Sequence, residues 1–112
     1  MNAAGRWRIV EMELWDRDAI DILGPAFVQI GPGHDGSFRF IAVEGWLDVR
    51  EISRDGVPGI EFSWEGNDES DAASGRGWAT LSSHGSLTGR SFFHLGDDSG
   101  FRAIREGSDT EG

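Results

Sequence analysis

Glycine interrupts this chain at short intervals, and that spacing constrains the fold more than any other feature. Seventeen glycines are distributed over 112 residues. The segments between them are rich in Val, Ile, Phe, Trp and Thr, which favour strands, whereas the glycine-bearing segments carry turn residues. A chain of this length forms one core as a rule. The pattern predicts a single all-β domain.

The predicted strands lie near residues 6–15, 26–30, 37–44, 46–53, 59–65, 76–83, 86–95 and 101–106. Asp55-Gly56 is a hairpin signal between the fourth and fifth strands. Gly45 lies inside a long extended stretch, which predicts a bulge or corner there. Residues 65–77 form the longest predicted irregular connection.

One short helix is predicted at 16–24, because an acidic start is followed by apolar Ile20 and Leu23 and then by Gly24-Pro25. Eight sequential strands joined mostly by tight turns indicate an antiparallel meander. Closing that meander into a small β-barrel removes its exposed edges, and a two-sheet sandwich is the alternative. The predicted domain spans residues 1–106, and a polar, flexible tail is predicted at 107–112.

The charge balance and composition limit the classes of partner and the chemistry that are expected of this chain. Twenty acidic residues and ten arginines give a net charge of −10, and the chain has neither Lys nor Cys. Such an acidic chain is not expected to bind nucleic acid. Disulfides, thiolate metal sites and Schiff-base chemistry are excluded by composition. Because no signal peptide and no apolar run of about 18 residues is found, we expect a cytoplasmic protein that does not bind membranes.

The first strand has an apolar side that changes along its length. Trp7 and Ile9 share one parity, whereas Val10, Met12 and Leu14 share the other. A bulge near Ile9-Val10 would place the last three in the core and direct Glu11 and Glu13 outward to pair with arginines. A regular strand would instead bury both glutamates as a general acid and base. We favour the bulge, because it buries apolar side chains rather than carboxylates.

In the other strands, odd-numbered and even-numbered residues also separate into a predicted core face and an opposite face. The predicted core residues are Ile41, Val43, Leu47, Val49, Ile60, Phe62, Trp64, Ala79, Leu81, Leu87, Ser91, Phe93 and Leu95. The opposite faces carry further aromatics beside Arg39, Arg50, Arg90 and His94, namely Phe38, Phe40, Trp46, Trp78, Phe92 and Phe101. Aromatic residues interleaved with arginine are typical of interaction surfaces.

Gly5-Arg6-Trp7, at the head of the first strand, resembles the G-x-W signature of the calycins, the lipocalin, fatty-acid-binding and avidin-type barrels. The resemblance implies that Trp7 closes one barrel end and that an arginine of the last strand, Arg102 or Arg105, packs over it. The short helix after the first strand also resembles fatty-acid-binding proteins. The T-D-Y-type motif of lipocalins is absent.

Four further phrases resemble a group of small prokaryotic proteins of no assigned function. They are GRWRIVEMELWD, EGW, FSWEGNDE and FFHLGDDSGF. This resemblance spans nearly the whole chain and implies no particular chemistry.

No cofactor and no metal site is predicted, because the three histidines lack metal-ligand spacing and the acidic stretch 67–71 lacks the EF-hand pattern. The candidate ligand-binding residues are Glu11, Glu13, Trp46, Trp64, Arg90 and His94.

Three functions stay open at this point. The first is a non-catalytic binding module that engages a partner protein, a second copy in a homodimer, or a compact small molecule. The second is an enzyme with barrel-interior glutamates acting on a small polar substrate. The third is a structural homo-oligomer without ligand.

Overall fold

The computed structural model describes residues 3–82 and 84–105. The predicted tail at 107–112 lies outside the described residues. The elements are β1 (Gly5–Met12), α1 (Arg17–Ile20), β2 (Phe27–Ile30), β3 (Asp35–Phe40), β4 (Val43–Arg54), β5 (Val57–Asp68), β6 (Asp71–Leu81), β7 (Ser86–Phe93) and β8 (Asp98–Arg105).

The eight strands form a closed antiparallel barrel in sequence order. Each strand pairs with the next, and β8 returns to pair with β1, so that Trp7 is opposite Arg105 and Met12 is opposite Phe101. The predicted all-β meander, its closure into a barrel and the short helix after the first strand are therefore confirmed. In the described part of the chain, no helix is long and apolar enough to cross a membrane.

Five aromatic side chains form a connected cluster inside the barrel. The ring centres of Phe38 and Trp64 lie 5.0 Å apart, and those of Trp64 and Phe93 lie 5.3 Å apart, both edge to face. Phe40 extends the cluster to Phe93 and to Trp15, at 6.2 and 5.5 Å. These separations are typical of favourable aromatic pairs. The cluster joins β3, β5, β7 and the segment after β1 through contacts between rings.

Glycines on the neighbouring strands make room for these rings. A Cβ atom on Gly45 would lie 2.6 Å from the ring of Phe38 and 2.9 Å from that of Trp64. A Cβ atom on Gly75 would lie 2.7 Å from Nε1 of Trp64, and one on Gly77 would lie 2.3 Å from the ring of Phe62. The strand glycines therefore mark sites where a ring packs against backbone.

Trp7 closes one end of the barrel. Its side chain is fully buried, and its indole Nε1 donates to the backbone oxygen of Ala3 at 2.9 Å. The guanidinium carbon of Arg105 lies 4.3 Å from the centre of its ring, and Nη1 of Arg105 donates to the oxygen of Ala4 at 2.8 Å. The final strand thus fixes the first strand by a cation–π contact and a hydrogen bond.

The helix α1 covers the other end. Asp16 caps it, because its carboxylate accepts from the backbone N–H of Ala19 at 2.9 Å. Ile20 is fully buried, and its oxygen accepts from Ile41 in the β3–β4 turn at 2.9 Å. The predicted helix at 16–24 is observed as one turn only, and Leu23 is 61% exposed rather than packed against the barrel.

The bulge predicted in the first strand is present. The register of β1 against β8 shifts between Ile9 and Glu11, which leaves Val10 as the extra residue. Trp7, Ile9 and Met12 are buried as a result, and Glu11 and Glu13 are exposed on the outside. The core prediction for this strand was wrong at two residues. Val10 is the half-buried bulge residue and does not belong to the core, and Leu14 lies beyond β1 and is 48% exposed.

The boundary between the third and fourth strands was predicted incorrectly. β3 ends at Phe40, and the chain turns at Ile41-Ala42, with Ile41 at a φ of 55°. A β-branched residue rarely adopts this conformation, so the turn carries no sequence signal. Gly45 is not at a bulge, because it lies in regular register opposite Phe38 and Gly66.

The core also differs from the prediction at four further residues. Phe38 and Phe40 are buried, as is Phe101 on β8, although all three were assigned to the opposite faces. Leu95 is 94% exposed in the turn after β7 and does not belong to the core.

Residues 65–77 do not form a loop. They continue β5 and β6 as one long hairpin, which turns at Glu69-Ser70 with Glu69 at a φ of 58°. The inward positions of this hairpin include Gly75 and Gly77, so that the apolar alternation expected of a strand is missing. The rings that contact these glycines supply the apolar volume instead.

Candidate functional site

Glu13 and Arg90 form part of a charged cluster on the outside of the barrel. Nη2 of Arg90 lies 2.7 Å from Oε1 of Glu13 and 2.9 Å from Oδ2 of Asp98. The backbone N–H of Gly100 also donates to Oε1 of Glu13, at 3.3 Å. The cluster joins the segment after β1 to β7 and β8.

The environment of Glu13 stabilises its charged form. The hydrogen bond from Gly100 and the hydrogen bond and charge of Arg90 hold the pKa of Glu13 below its ordinary value. The same contacts, to Glu13 and then to Asp98, raise the pKa of Arg90. A general acid or base at neutral pH needs a pKa shifted toward 7, and the shift at Glu13 goes the other way.

Glu11 forms a second ion pair on the same side of the barrel, where β1 and β8 close it, a region that we call the seam. Nε of Arg102 donates to Oε1 of Glu11 at 3.1 Å, which links β1 to β8. Glu11, Glu13 and Arg90 therefore lie where the barrel closes, and each has an opposite charge as partner. This arrangement is that of an exposed structural pair.

A concave surface lies on the opposite wall, over the outward side chains of β4, β5, β6 and the end of β7. We call it the groove face. Its aromatic residues are Trp46, Trp78, Phe92 and His94, and its charged residues are Asp48, Glu61, Glu65, Arg50, Arg54 and Arg76. The strand register fixes their order, with Ser63 at the centre between Asp48 on β4 and Arg76 on β6.

The groove face encloses two adjoining depressions. The larger, of about 920 Å³, runs from Arg54 and Trp78 to Phe92 and His94. The smaller, of about 570 Å³, lies beside Trp46 and shares His94 with the larger. Both are open to solvent, and together they span much of the length of the long strands β4 to β6.

The arginines of the groove face make weaker contacts to carboxylates than those of the seam. Arg76 makes no hydrogen bond, ion pair or ring contact to the described residues. Arg50 approaches Asp48 only to 3.7 Å, and both side chains are largely exposed. The guanidinium carbon of Arg54 lies 3.8 Å from the ring centre of Trp78. Arg8 on β1, which lies outside the groove face, instead forms a short ion pair with Asp21, at 2.6 Å.

The structure separates the six predicted site residues into three places. Glu11, Glu13 and Arg90 lie at the seam, as described above. Trp46, which is 60% exposed, and His94 lie together on the groove face.

Trp64 borders the larger depression of the groove face from the barrel interior, together with Phe62 and Phe93, but its side chain is only 2% exposed. Its Nε1 is buried and has no hydrogen-bond partner in the described residues.

Arg76 and Ser63 were not predicted as site residues from the sequence. Arg76 lies where the predicted loop 65–77 and the predicted strand 76–83 overlap, so it was not assigned to a face. Trp78 and Phe92 were recognised as surplus aromatics on the outer faces, and the groove face includes both. The missing signal was the continuous β5–β6 pairing, which places Arg76 opposite Ser63 and Phe92.

Within residues 3–82 and 84–105, no three His, Cys, Asp or Glu side chains are grouped to hold a metal ion. Comparisons of this chain with protein-family models, with curated protein sequences and with solved structures found no match. Its class therefore rests on its architecture, an eight-stranded closed antiparallel barrel.

Proposed function

We propose that this chain is a non-catalytic binding module that engages a partner protein through the groove face. The observation that carries the proposal is the gathering of exposed aromatics and weakly paired arginines on one concave wall. Trp46 is 60% exposed and Phe92 is 38% exposed, and Arg76 between them has no partner among the described residues.

The chemistry of this wall is that of protein interfaces. Tryptophan and arginine are the residues that most often contribute strongly to binding, because each buries a large area and keeps a polar group for a directed contact. Leaving Trp46 in water is unfavourable, at roughly 25 cal/mol for each Å² of apolar surface. A partner that covers it recovers that free energy.

A ligand inside the barrel is supported less well. Phe38, Phe40, Trp64 and Phe93 contact one another inside the barrel, and Trp7 closes one of its ends. A compact molecule would have to displace these rings. The proposed binding surface is therefore the outside of the wall.

We also propose a calycin-like relationship for the barrel. The support is the pairing of Trp7, near the start of β1, with Arg105, near the end of β8, at 4.3 Å. The resemblance of Gly5-Arg6-Trp7 implied an arginine from the last strand at this place. The proposal concerns the architecture and carries no ligand with it.

The proposal is tested by photo-crosslinking in cells that express the chain. A photoreactive phenylalanine analogue replaces Ser63 at the centre of the groove face, and the matched control carries it at Gln29, an exposed residue of β2 on the opposite wall. We expect Ser63 to give an adduct of one defined mass that Gln29 does not give.

A second substitution makes the result specific. Trp78→Ala, introduced together with the photoreactive residue at position 63, is expected to reduce the adduct at least about tenfold, as loss of a central aromatic contact does. Equal adducts from positions 63 and 29, or no adduct from either, would overturn the proposed function. Circular dichroism verifies that each variant keeps its strand content.

A further inference from the structure

The outward side chains of β4 are complementary to themselves when the strand is reversed. In chain order they are Glu44, Trp46, Asp48, Arg50, Ile52 and Arg54. Two carboxylates and a tryptophan lie before Val49, and two arginines and an isoleucine lie after it. Reversal about Val49 places each carboxylate opposite an arginine and Trp46 opposite Ile52.

We propose that the partner at the groove face is a second copy of this chain, related by a twofold axis that crosses β4 at Val49. This inference rests on the proposed function and names the partner for the same surface. Asp48 of one copy then contacts the partner's Arg50, and Trp46 contacts the partner's Ile52. Each contact occurs twice, as an isologous interface requires.

These side chains are available for such contacts. Asp48 and Arg50 retain 64% and 72% of their side-chain exposure, and their own ion pair is long, at 3.7 Å. Exposed pairs of this kind contribute little within one chain. Replacing the Asp48–Arg50 pair within one chain by a pair across the interface therefore costs little free energy.

The balance of charge also favours this wall. The outward side chains of β4 carry two carboxylates and two arginines, so the net charge of −10 lies on the rest of the chain. Two copies repel each other elsewhere, because like charges face one another. The groove face is a surface on which attraction between opposite charges replaces that repulsion.

The geometry is that of two sheets packed face to face. Such sheets pack about 10 Å apart with strands crossing at roughly 30°, so contacts are closest near the axis and diverge toward the strand ends. Asp48 and Arg50 are the two outward residues next to Val49. Substitution of these two residues is therefore the most direct test of the proposed dimer.

The experiment uses two single charge reversals, Asp48→Arg and Arg50→Asp, and the double exchange, all in the full chain. In a twofold dimer, each single reversal creates two like-charge contacts and is expected to weaken dimerisation at least about tenfold. The two singly substituted chains, when mixed, regain opposite charges at both contacts. They are expected to associate with each other, and the double exchange is expected to dimerise like the wild type.

Sedimentation equilibrium measures the mass, with the wild type expected at twice the 12.2 kDa of the chain. Glu11→Gln, on the opposite wall, is the control that leaves the dimer unchanged. Thermal melts verify folding, and Trp46→Ala, which changes no charge, is expected to weaken the dimer independently.

The inference is overturned if the wild type stays monomeric, if either single reversal dimerises as strongly as the wild type, or if the mixed chains do not associate. A monomeric wild type whose position 63 cross-links to a different protein retains the proposed function and loses this inference. The absence of any adduct at position 63 overturns both.

Discussion

Arg105, the last described residue of β8, lies over the indole of Trp7 on β1, with 4.3 Å between its guanidinium carbon and the ring centre. It also holds the chain before β1, because Nη1 donates to the oxygen of Ala4. Arg105 thus connects the last strand of the barrel both to the first strand and to the segment that precedes it. Loss of this contact would loosen the seam on which closure depends.

Arg105→Ala is expected to lower the free energy of unfolding by about 1–3 kcal/mol, because a charged hydrogen bond and a cation–π contact are both removed. Urea denaturation measures the change. Arg102→Ala, three residues earlier on β8, removes only the exposed pair with Glu11 and is expected to cost about 0–1 kcal/mol. Equal losses for the two variants would contradict the role assigned to Arg105.

The cluster at Glu13 predicts a dependence of stability on pH. The pKa of Glu13 is lower in the folded protein than the ordinary value of 4.5, chiefly because of Gly100 and Arg90. A lowered folded pKa means that the unfolded chain binds the proton more readily. Stability from this carboxylate is therefore complete above pH 4.5 and is lost as the pH falls through the folded pKa.

Glu13→Gln should accordingly melt at a lower temperature than the wild type at pH 7, and the difference should shrink below pH 4.5. Melts followed by circular dichroism across this range provide the measurement. Asp18→Asn serves as control, since Asp18 lies on α1 away from the seam and its substitution removes the same charge. A difference between Glu13→Gln and wild type that stayed constant down to low pH would argue against the Arg90 and Gly100 contacts.

Gly75 tests the packing of Trp64 against the β6 backbone. A Cβ atom at position 75 would lie 1.7 Å from the oxygen of Phe92 and 2.7 Å from Nε1 of Trp64. Gly75→Ala should therefore destabilise the fold by about 2 kcal/mol or more, since overpacked cores relax at that cost. Gly33→Ala is the matched control, because its Cβ atom would meet only Asp35, at 3.9 Å. A neutral Gly75→Ala would show that the ring does not occupy this position.

The sequence predicted the fold well wherever local chemistry agreed with the final structure. Asp55-Gly56 turns with both residues at positive φ, 52° and 81°, as a hairpin signal of this kind requires. The switch of parity in β1 predicted the bulge at Val10, because burial of carboxylates is unfavourable. Eight segments in sequence order then favoured closure into a barrel over the two-sheet sandwich, because closure pairs every edge.

The errors lie where tertiary contacts override local chemistry. Ile41 turns the chain in a conformation that its side chain disfavours, held by the hydrogen bond to Ile20 across the barrel end. Gly75 and Gly77 look like loop residues in the sequence and are strand residues in the structure, since rings from β5 pack on them. The groove face depends on that β5–β6 pairing, so its centre at Ser63 and Arg76 could not be assembled from the sequence.

Trp46 and Leu47 are neighbours on β4 with opposite environments, and they separate binding from stability. Trp46 is 60% exposed on the groove face, whereas Leu47 is 6% exposed in the core. Leu47→Ala should cost about 2–5 kcal/mol, because it leaves a cavity among buried side chains. Trp46→Ala should change the free energy of unfolding by no more than about 0.5 kcal/mol, since it removes an exposed side chain.

Chemical denaturation at a protein concentration where the chain sediments as a monomer isolates this difference from any effect of association. The adduct formed at position 63 provides the second readout. If Trp46 is reserved for a partner, Trp46→Ala loses the adduct at unchanged stability, because the tryptophan contributes to the interface and not to the core. A Trp46→Ala variant that is as unstable as Leu47→Ala would instead make this tryptophan part of the packing and remove it from the binding surface.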